Sequence, residues 1–116
     1  MRAPTLDHDA VDELQSVMGA DFETLVESFF RDSEQRITRL REAIDQGEAD
    51  ELRQTAHSFK GSSGNLGALA LSGLCLELEQ VGRSGQLDPA SDLLERIRQA
   101  YADARRELER YIETGS

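Results

Sequence analysis

The amino-acid sequence predicts an all-α fold, an antiparallel up-and-down four-helix bundle preceded by a short additional N-terminal helix. Apolar residues recur at steps of three and four along nearly the whole chain, and no segment shows the alternation typical of a strand. The two prolines lie outside the long periodic segments, which leaves the helices unbroken. A chain of 116 residues, 38% of them hydrophobic, is enough for one core, so a single domain over residues 1–116 is expected.

The first two helices differ in length. A short helix is predicted from about Asp9 to Met18, with Gly19 ending it. The second is predicted from Asp21 to Gly47, and a glycine is common just past the end of a helix. Its apolar stripe consists of Phe22, Leu25, Val26, Phe29, Phe30, Ile37, Leu40 and Ile44.

The third helix is predicted to begin near Glu48, with Leu52, Ala56 and Phe59 facing inward. Its end is ambiguous. By propensity residues 61–67, GSSGNLG, are a loop, because each glycine inside a helix costs about 1 kcal/mol relative to alanine.

Two further helices complete the predicted bundle, which spans about residues 21–113 with the first helix, about 9–18, capping one end. The fourth ends between Gly82 and Gly85, before a turn that contains Pro89. It is expected to turn Leu71, Leu74, Cys75, Leu78 and Val81 inward. The last helix is traced by Leu93, Leu94, Ile97, Ala100, Tyr101, Ala104, Leu108, Tyr111 and Ile112.

Composition excludes several function classes. The formal net charge of −10 argues against binding to nucleic acid or to an anionic membrane surface, since both need cationic protein surfaces. No segment approaches the roughly 20 consecutive apolar residues of a membrane span, and the N-terminus is not signal-like. A single cysteine, Cys75, suits a reducing compartment and an apolar core position. A cytoplasmic protein that binds a protein partner or a small ligand is therefore expected.

Motifs for cofactors are missing from the sequence. It contains no Gly-rich nucleotide loop, no CxxC and no HExxH, so neither a cofactor, a metal site nor an ATP site is predicted. His8 lies in a polar stretch without a partner at metal-ligand spacing, and we expect it to be simply solvated.

His57 is the residue that points to chemistry. It lies about 100° around the third helix from the inward face, so its ring is expected to face solvent. If the helix continues, Gly61 and Gly64 follow one and two turns later and leave the ring beside bare backbone. Lys60 lies on the same side, near any anion attached to the ring. This pattern suggests a histidine that carries a phosphoryl group, although a solvated histidine followed by an ordinary loop explains the same residues.

The segment AHSFKGSSGNLGA over residues 56–68 closely resembles the signature of histidine-containing phosphotransfer (HPt) domains. The resemblance continues at Leu71, Leu74, Cys75, Leu78, Glu79 and residues 82–85. It implies that the third helix runs through the glycines and that His57 is phosphorylated on a ring nitrogen. It also implies that Lys60 and Gly61 support the site and that Glu79, on the following helix, lies near the histidine and orients it.

The resemblance further implies the partners. They are receiver domains of hybrid sensor histidine kinases and of response regulators, which supply the aspartate and the bound Mg²⁺. The chain itself is then a monomeric phosphoryl carrier rather than an enzyme. Docking around His57 is expected on a mostly apolar surface of the third helix and its neighbours, with a candidate rim of Arg53, Gln54, Ser58, Gly61 and Gly64.

Two other functions fit the same helices. A helical adaptor could bind receiver domains without being phosphorylated, His57 then being incidental. A small bundle that senses a ligand in its core has less support, because only 5% of the residues are aromatic.

Overall fold

The structure, a computed structural model, describes residues 3–114; the ends of the predicted domain, 1–2 and 115–116, lie outside this range. The five helices are α1 His8–Met18, α2 Asp21–Gln46, α3 Ala49–Asn65, α4 Leu69–Ser84 and α5 Ala90–Thr114. Helix α2 packs on α3, α3 on α4, α4 on α5, and α5 on α2, while α1 packs on α2. The predicted all-α class is confirmed, and no strand occurs among the described residues.

The core lies between the apolar stripes of α2 to α5. Phe59, Leu71, Leu78 and Ile97 are fully buried within it. Cys75 is buried as predicted, and this burial raises the pKa of its thiol to about 12. Leu74 and Val81, which were also expected inside, are only partly buried at the edge of the core. No helix within residues 3–114 has the length and hydropathy that crossing a membrane requires.

The end of α3 decides between the two interpretations of the glycine-rich segment. The helix continues through Gly61 and Gly64 and ends at Asn65, so the loop expected from propensity is wrong. Its terminator is Gly67, whose φ is 76°. The N–H of Gly67 donates to the carbonyl of Gly64 at 3.0 Å, and that of Ala68 to Ser63 at 2.9 Å. These two bonds form a Schellman motif, for which glycine is the favoured residue.

The N-terminal segment closes one end of the bundle, where α3 ends and α4 begins. The N–H of Asp7 donates to the carbonyl of Gly67 at 2.8 Å, and Leu6 is buried. His8, expected to be merely solvated, in fact has its Nδ1 2.8 Å from the Tyr111 hydroxyl and stacks on that ring. This expectation was wrong because the partner lies far away in the sequence, on the last turns of α5.

Candidate functional site

His57 stands on the exposed face of α3, as predicted, with 62% of its side chain accessible. Its Nδ1 lies 3.1 Å from Oε2 of Glu79 on α4. An ionised carboxylate can only accept a hydrogen bond, so this contact assigns the proton to Nδ1. In the neutral ring Nε2 then keeps its lone pair, and no described residue hydrogen-bonds to it. The ring therefore presents a nucleophilic nitrogen to solvent.

Glu79 is a buried carboxylate that contacts three basic side chains. Besides His57, it has Nζ of Lys60 3.1 Å from its Oε1 and a guanidinium nitrogen of Arg83 3.2 Å from its Oε2. Its side chain is only 5% exposed. Burial alone raises the pKa of this carboxyl group, but the neighbouring Lys60 ammonium and His57 ring outweigh burial and lower the pKa below the ordinary value of 4.5. Glu79 is therefore ionised and able to hold the ring at neutral pH.

The two cations differ in how tightly they are held. The side chain of Lys60 is 30% exposed and that of Arg83 is 66% exposed. The distance from Lys60 to Oε1 is that of an ion pair, yet this buried oxygen has no well-aligned hydrogen bond from the described residues. Both cations can therefore leave the carboxylate by a change of rotamer.

Beyond the histidine, the surface of α3 lacks side chains. Gly61 and Gly64 are helical, exposed and free of positive φ values. A Cβ atom on Gly61 would meet nothing within 4 Å, and one on Gly64 would lie 3.5 Å from the Ser72 hydroxyl. This hydroxyl donates to the carbonyl of Lys60 at 3.1 Å and so ties α4 to the same segment. A partner can approach the α3 backbone closely beside His57.

The other predicted rim residues lie on the same helix, and two of them are hydrogen-bonded to a neighbouring carboxylate. Arg53 and Gln54 both donate to the Asp50 carboxylate, at 2.9 and 2.7 Å. Ser58 is exposed. The exposed face of α3 is polar or bare, so the surface is less apolar than expected. Among residues 3–114 the large hydrophobic residues that are exposed are Val17 on α1 and Leu76, three residues before Glu79 on α4.

Sequence reasoning missed two features of the site. Arg83 belongs to the segment that carries the family resemblance, and its spacing of four residues from Glu79 was the available signal for their ion pair. Gly82 lies in the last turn of α4, which ends at Ser84 within the predicted range, but its burial against α3 was not predicted. Within residues 3–114 no group of three or more His, Cys, Asp or Glu side chains is arranged to hold a metal ion.

A helical bundle that exposes a histidine beside bare backbone, with a cation and a buried carboxylate next to it, defines a phosphotransfer class of domain. The sequence model of the Hpt domain family matches residues 24–107, and the chain belongs to this family. It is a histidine phosphotransfer domain of two-component phosphorelays.

Similar proteins support this assignment. Histidine-containing phosphotransfer protein B (HptB) from Pseudomonas aeruginosa PAO1 is 40% identical in sequence to this chain. Its crystal structure superposes with a TM-score of 0.93, and the match covers 97% of both chains. Histidine-containing phosphotransfer protein 4 of Arabidopsis thaliana is 26% identical over 106 residues, 89% of this chain and 84% of that protein. A maize histidine-containing phosphotransfer protein shares the fold, with a TM-score of 0.84 over 97% of this chain and 90% of that chain at 22% identity.

Proposed function

We propose that His57 is the phosphoryl-accepting residue, taking the group from a receiver-domain aspartate of a hybrid sensor kinase and passing it to the aspartate of a response regulator. The observation that carries this proposal is the 3.1 Å contact between Nδ1 and Glu79 Oε2, which leaves Nε2 free on an exposed ring. His8, the other histidine, has its Nδ1 bonded to Tyr111 and its Nε2 3.4 Å from Glu107. Neither of its nitrogens is as free as Nε2 of His57.

The transfer step needs no proton movement on this chain. The lone pair of Nε2 attacks the phosphorus of the aspartyl phosphate, the N–P bond forms, and the P–O bond breaks so that the aspartate leaves as a carboxylate. The ring becomes a phosphoimidazolium that keeps its proton on Nδ1. Glu79 stabilises the positive charge that develops there, as the buried aspartate behind the histidine does in Ser-His-Asp hydrolases. The onward step runs the same bonds in reverse.

The partner completes the reaction. We expect the receiver domain to hold the acidic site and its Mg²⁺, while this chain contributes His57, Glu79 and Lys60. The receiver docks over the exposed face of α3, with Gly61 and Gly64 allowing close approach and Arg53, Gln54 and Ser58 at the rim. On this view the chain is a monomeric carrier that works in the cytoplasm, and it completes the chemistry only with its partner.

Transfer of ³²P from labelled receiver domains of the same genome tests the proposal. His57→Ala should abolish labelling and leave the helical circular dichroism spectrum intact, because the ring is exposed and its removal opens no cavity. His8→Ala is the matched control and should accept label at the wild-type rate. Unchanged labelling of His57→Ala would overturn the proposal, and receiver binding by the wild type without any label transfer would favour the adaptor function instead.

A further inference from the structure

The carboxylate of Glu79 gathers two cations at the site before any phosphoryl group is there. Lys60 approaches one oxygen and Arg83 the other, and Arg83 shares Oε2 with Nδ1 of His57. One negative charge thus holds two positive charges and a neutral ring. The site carries one more cation than its own carboxylate needs.

Phosphorylation changes this balance. A phosphoryl group adds a charge of about −1.5 to −2 and three strong acceptor oxygens. If it is bound to Nε2, it lies on the same imidazole ring whose Nδ1 faces Glu79, so the two anions compete for the same cations. The ring meanwhile gains a positive charge directly against the Glu79 carboxylate. Glu79 is then neutralised by the ring alone, and the phosphoryl group is the stronger anion nearby.

We propose that phosphorylation exchanges the partners at this site: Lys60 and Arg83 leave Glu79 and bind the phosphoryl oxygens, while the phosphoimidazolium neutralises Glu79. The proposal rests on His57 being the accepting residue. It assigns a phosphoryl-binding role to Arg83. In the resting state it assigns to Glu79 the role of holding both cations beside His57 as ion pairs.

The geometry permits the exchange. Lys60 lies three residues after His57, on the same side of α3, and Arg83 lies one turn after Glu79 on α4. Both have long side chains that are partly or largely exposed, so a rotamer change moves each head group without disturbing the core. The guanidinium also offers a planar pair of donors, a geometry that suits phosphoryl oxygens.

The composition of the chain makes the exchange measurable, because Lys60 is the only lysine among its 116 residues. Labelling with ¹⁵N-lysine gives a single Nζ resonance. Potassium phosphoramidate serves as the probe, since Nε2 attacks its phosphorus, ammonia leaves, and no partner protein is needed. In the resting protein Glu79→Gln should shift the Nζ resonance, because it removes the charge of the ion pair. In the phosphorylated protein the same substitution should leave that resonance unchanged.

Arg83 is tested by the ³¹P signal of phospho-His57. Arg83→Gln should raise the midpoint of the phosphoryl titration by about half a pH unit, since one nearby cation is lost. The matched control is Arg98→Gln, which removes the same charge from the exposed surface of α5. An Nζ resonance equally sensitive to Glu79→Gln in both states, or equal midpoints for Arg83→Gln and Arg98→Gln, would overturn the exchange.

The same samples separate this inference from the proposed function. Absence of a phosphohistidine signal in the wild type, or its persistence in His57→Ala, would mean that His57 is not the acceptor. A signal that His57→Ala removes, together with a lysine that stays on Glu79, would reject the exchange alone.

Discussion

A Cβ atom on Gly82 would lie 2.8 Å from the backbone nitrogen of Arg53, so α3 and α4 meet here backbone against backbone. The carbonyl of Ala49 would be only 2.9 Å away. Gly82 follows Glu79 by three residues, and Arg53 precedes His57 by four. The close approach therefore sets the distance between the two helices one turn away from the contact of His57 with Glu79.

We predict that Gly82→Ala lowers the free energy of unfolding by about 1–3 kcal/mol, because the atoms it meets are backbone and can move only with the helix. Urea denaturation of the wild type and the variant measures this change in the free energy of unfolding. Gly73→Ala is the control on the same helix: its Cβ would meet nothing within 4 Å, so the gain in helix propensity should stabilise the protein by up to about 1 kcal/mol. Equal effects of the two substitutions would show that α3 and α4 do not meet at Gly82.

The two glycines near the ends of α3 and α4 show what the sequence could and could not predict. Periodicity found all five helices, since each keeps an apolar stripe over several turns. Propensity misjudged the residues around Gly61 because it counts the local cost of glycine and omits the tertiary contacts made by Phe59 and Ser63, both buried. The fourth helix ends at Ser84, within the predicted range of residues 82–85, but the packing of Gly82 against α3 did not follow from periodicity. Only its packing against α3 explains a glycine inside that helix.

A second prediction separates stability from transfer at Gly61. Gly61→Ala should stabilise the fold by about 1 kcal/mol, because the position is helical, exposed and open around the added Cβ. Gly61→Gln should stabilise it by a similar amount and yet slow phosphoryl transfer from a receiver domain, since the longer side chain covers the bare backbone beside His57. Thermal melts and transfer rates should thus move in opposite directions. A Gly61→Gln variant with the wild-type transfer rate would show that the partner does not need this surface.

A third prediction concerns acid stability. The pKa of Glu79 is lower in the folded chain than its ordinary value of 4.5, so near pH 4.5 the unfolded chain binds more protons. The stabilisation from this carboxylate is complete above that pH and is lost as the pH falls through the folded value. The difference in unfolding free energy between the wild type and Glu79→Gln should shrink as the pH falls from about 4.5 through the folded pKa of Glu79. Parallel curves down to pH 3 would mean that the folded pKa is not lowered.

The site was predictable only in part, because its contacts join residues of two different helices. Exposure of His57 followed from its angle on the helix, and the position of Lys60 followed from the three-residue spacing. Periodicity alone does not bring Glu79 to the histidine, because the contact depends on how far α4 slides along α3. The family resemblance supplied that pairing, while the ion pair of Arg83 with Glu79, signalled only by their four-residue spacing, went unpredicted.

The last prediction is that Lys60 assists transfer electrostatically and to a modest extent. Its ammonium group is partly exposed, and a pair of unit charges 4 Å apart gains only about 1 kcal/mol in water and about 4 kcal/mol near a protein surface. Lys60→Ala should therefore slow transfer about tenfold at low salt, whereas His57→Ala abolishes it. Lys60→Arg should retain most of the rate, because the positive charge survives. Added salt should narrow the gap between Lys60→Ala and the wild type, because the Debye length falls to about 3 Å at 1 M. If Lys60→Ala transfers at the wild-type rate at low salt, the lysine has no part in transfer. If Lys60→Ala loses transfer completely while its helical circular dichroism spectrum is intact, the lysine has a larger role than screened electrostatics allows.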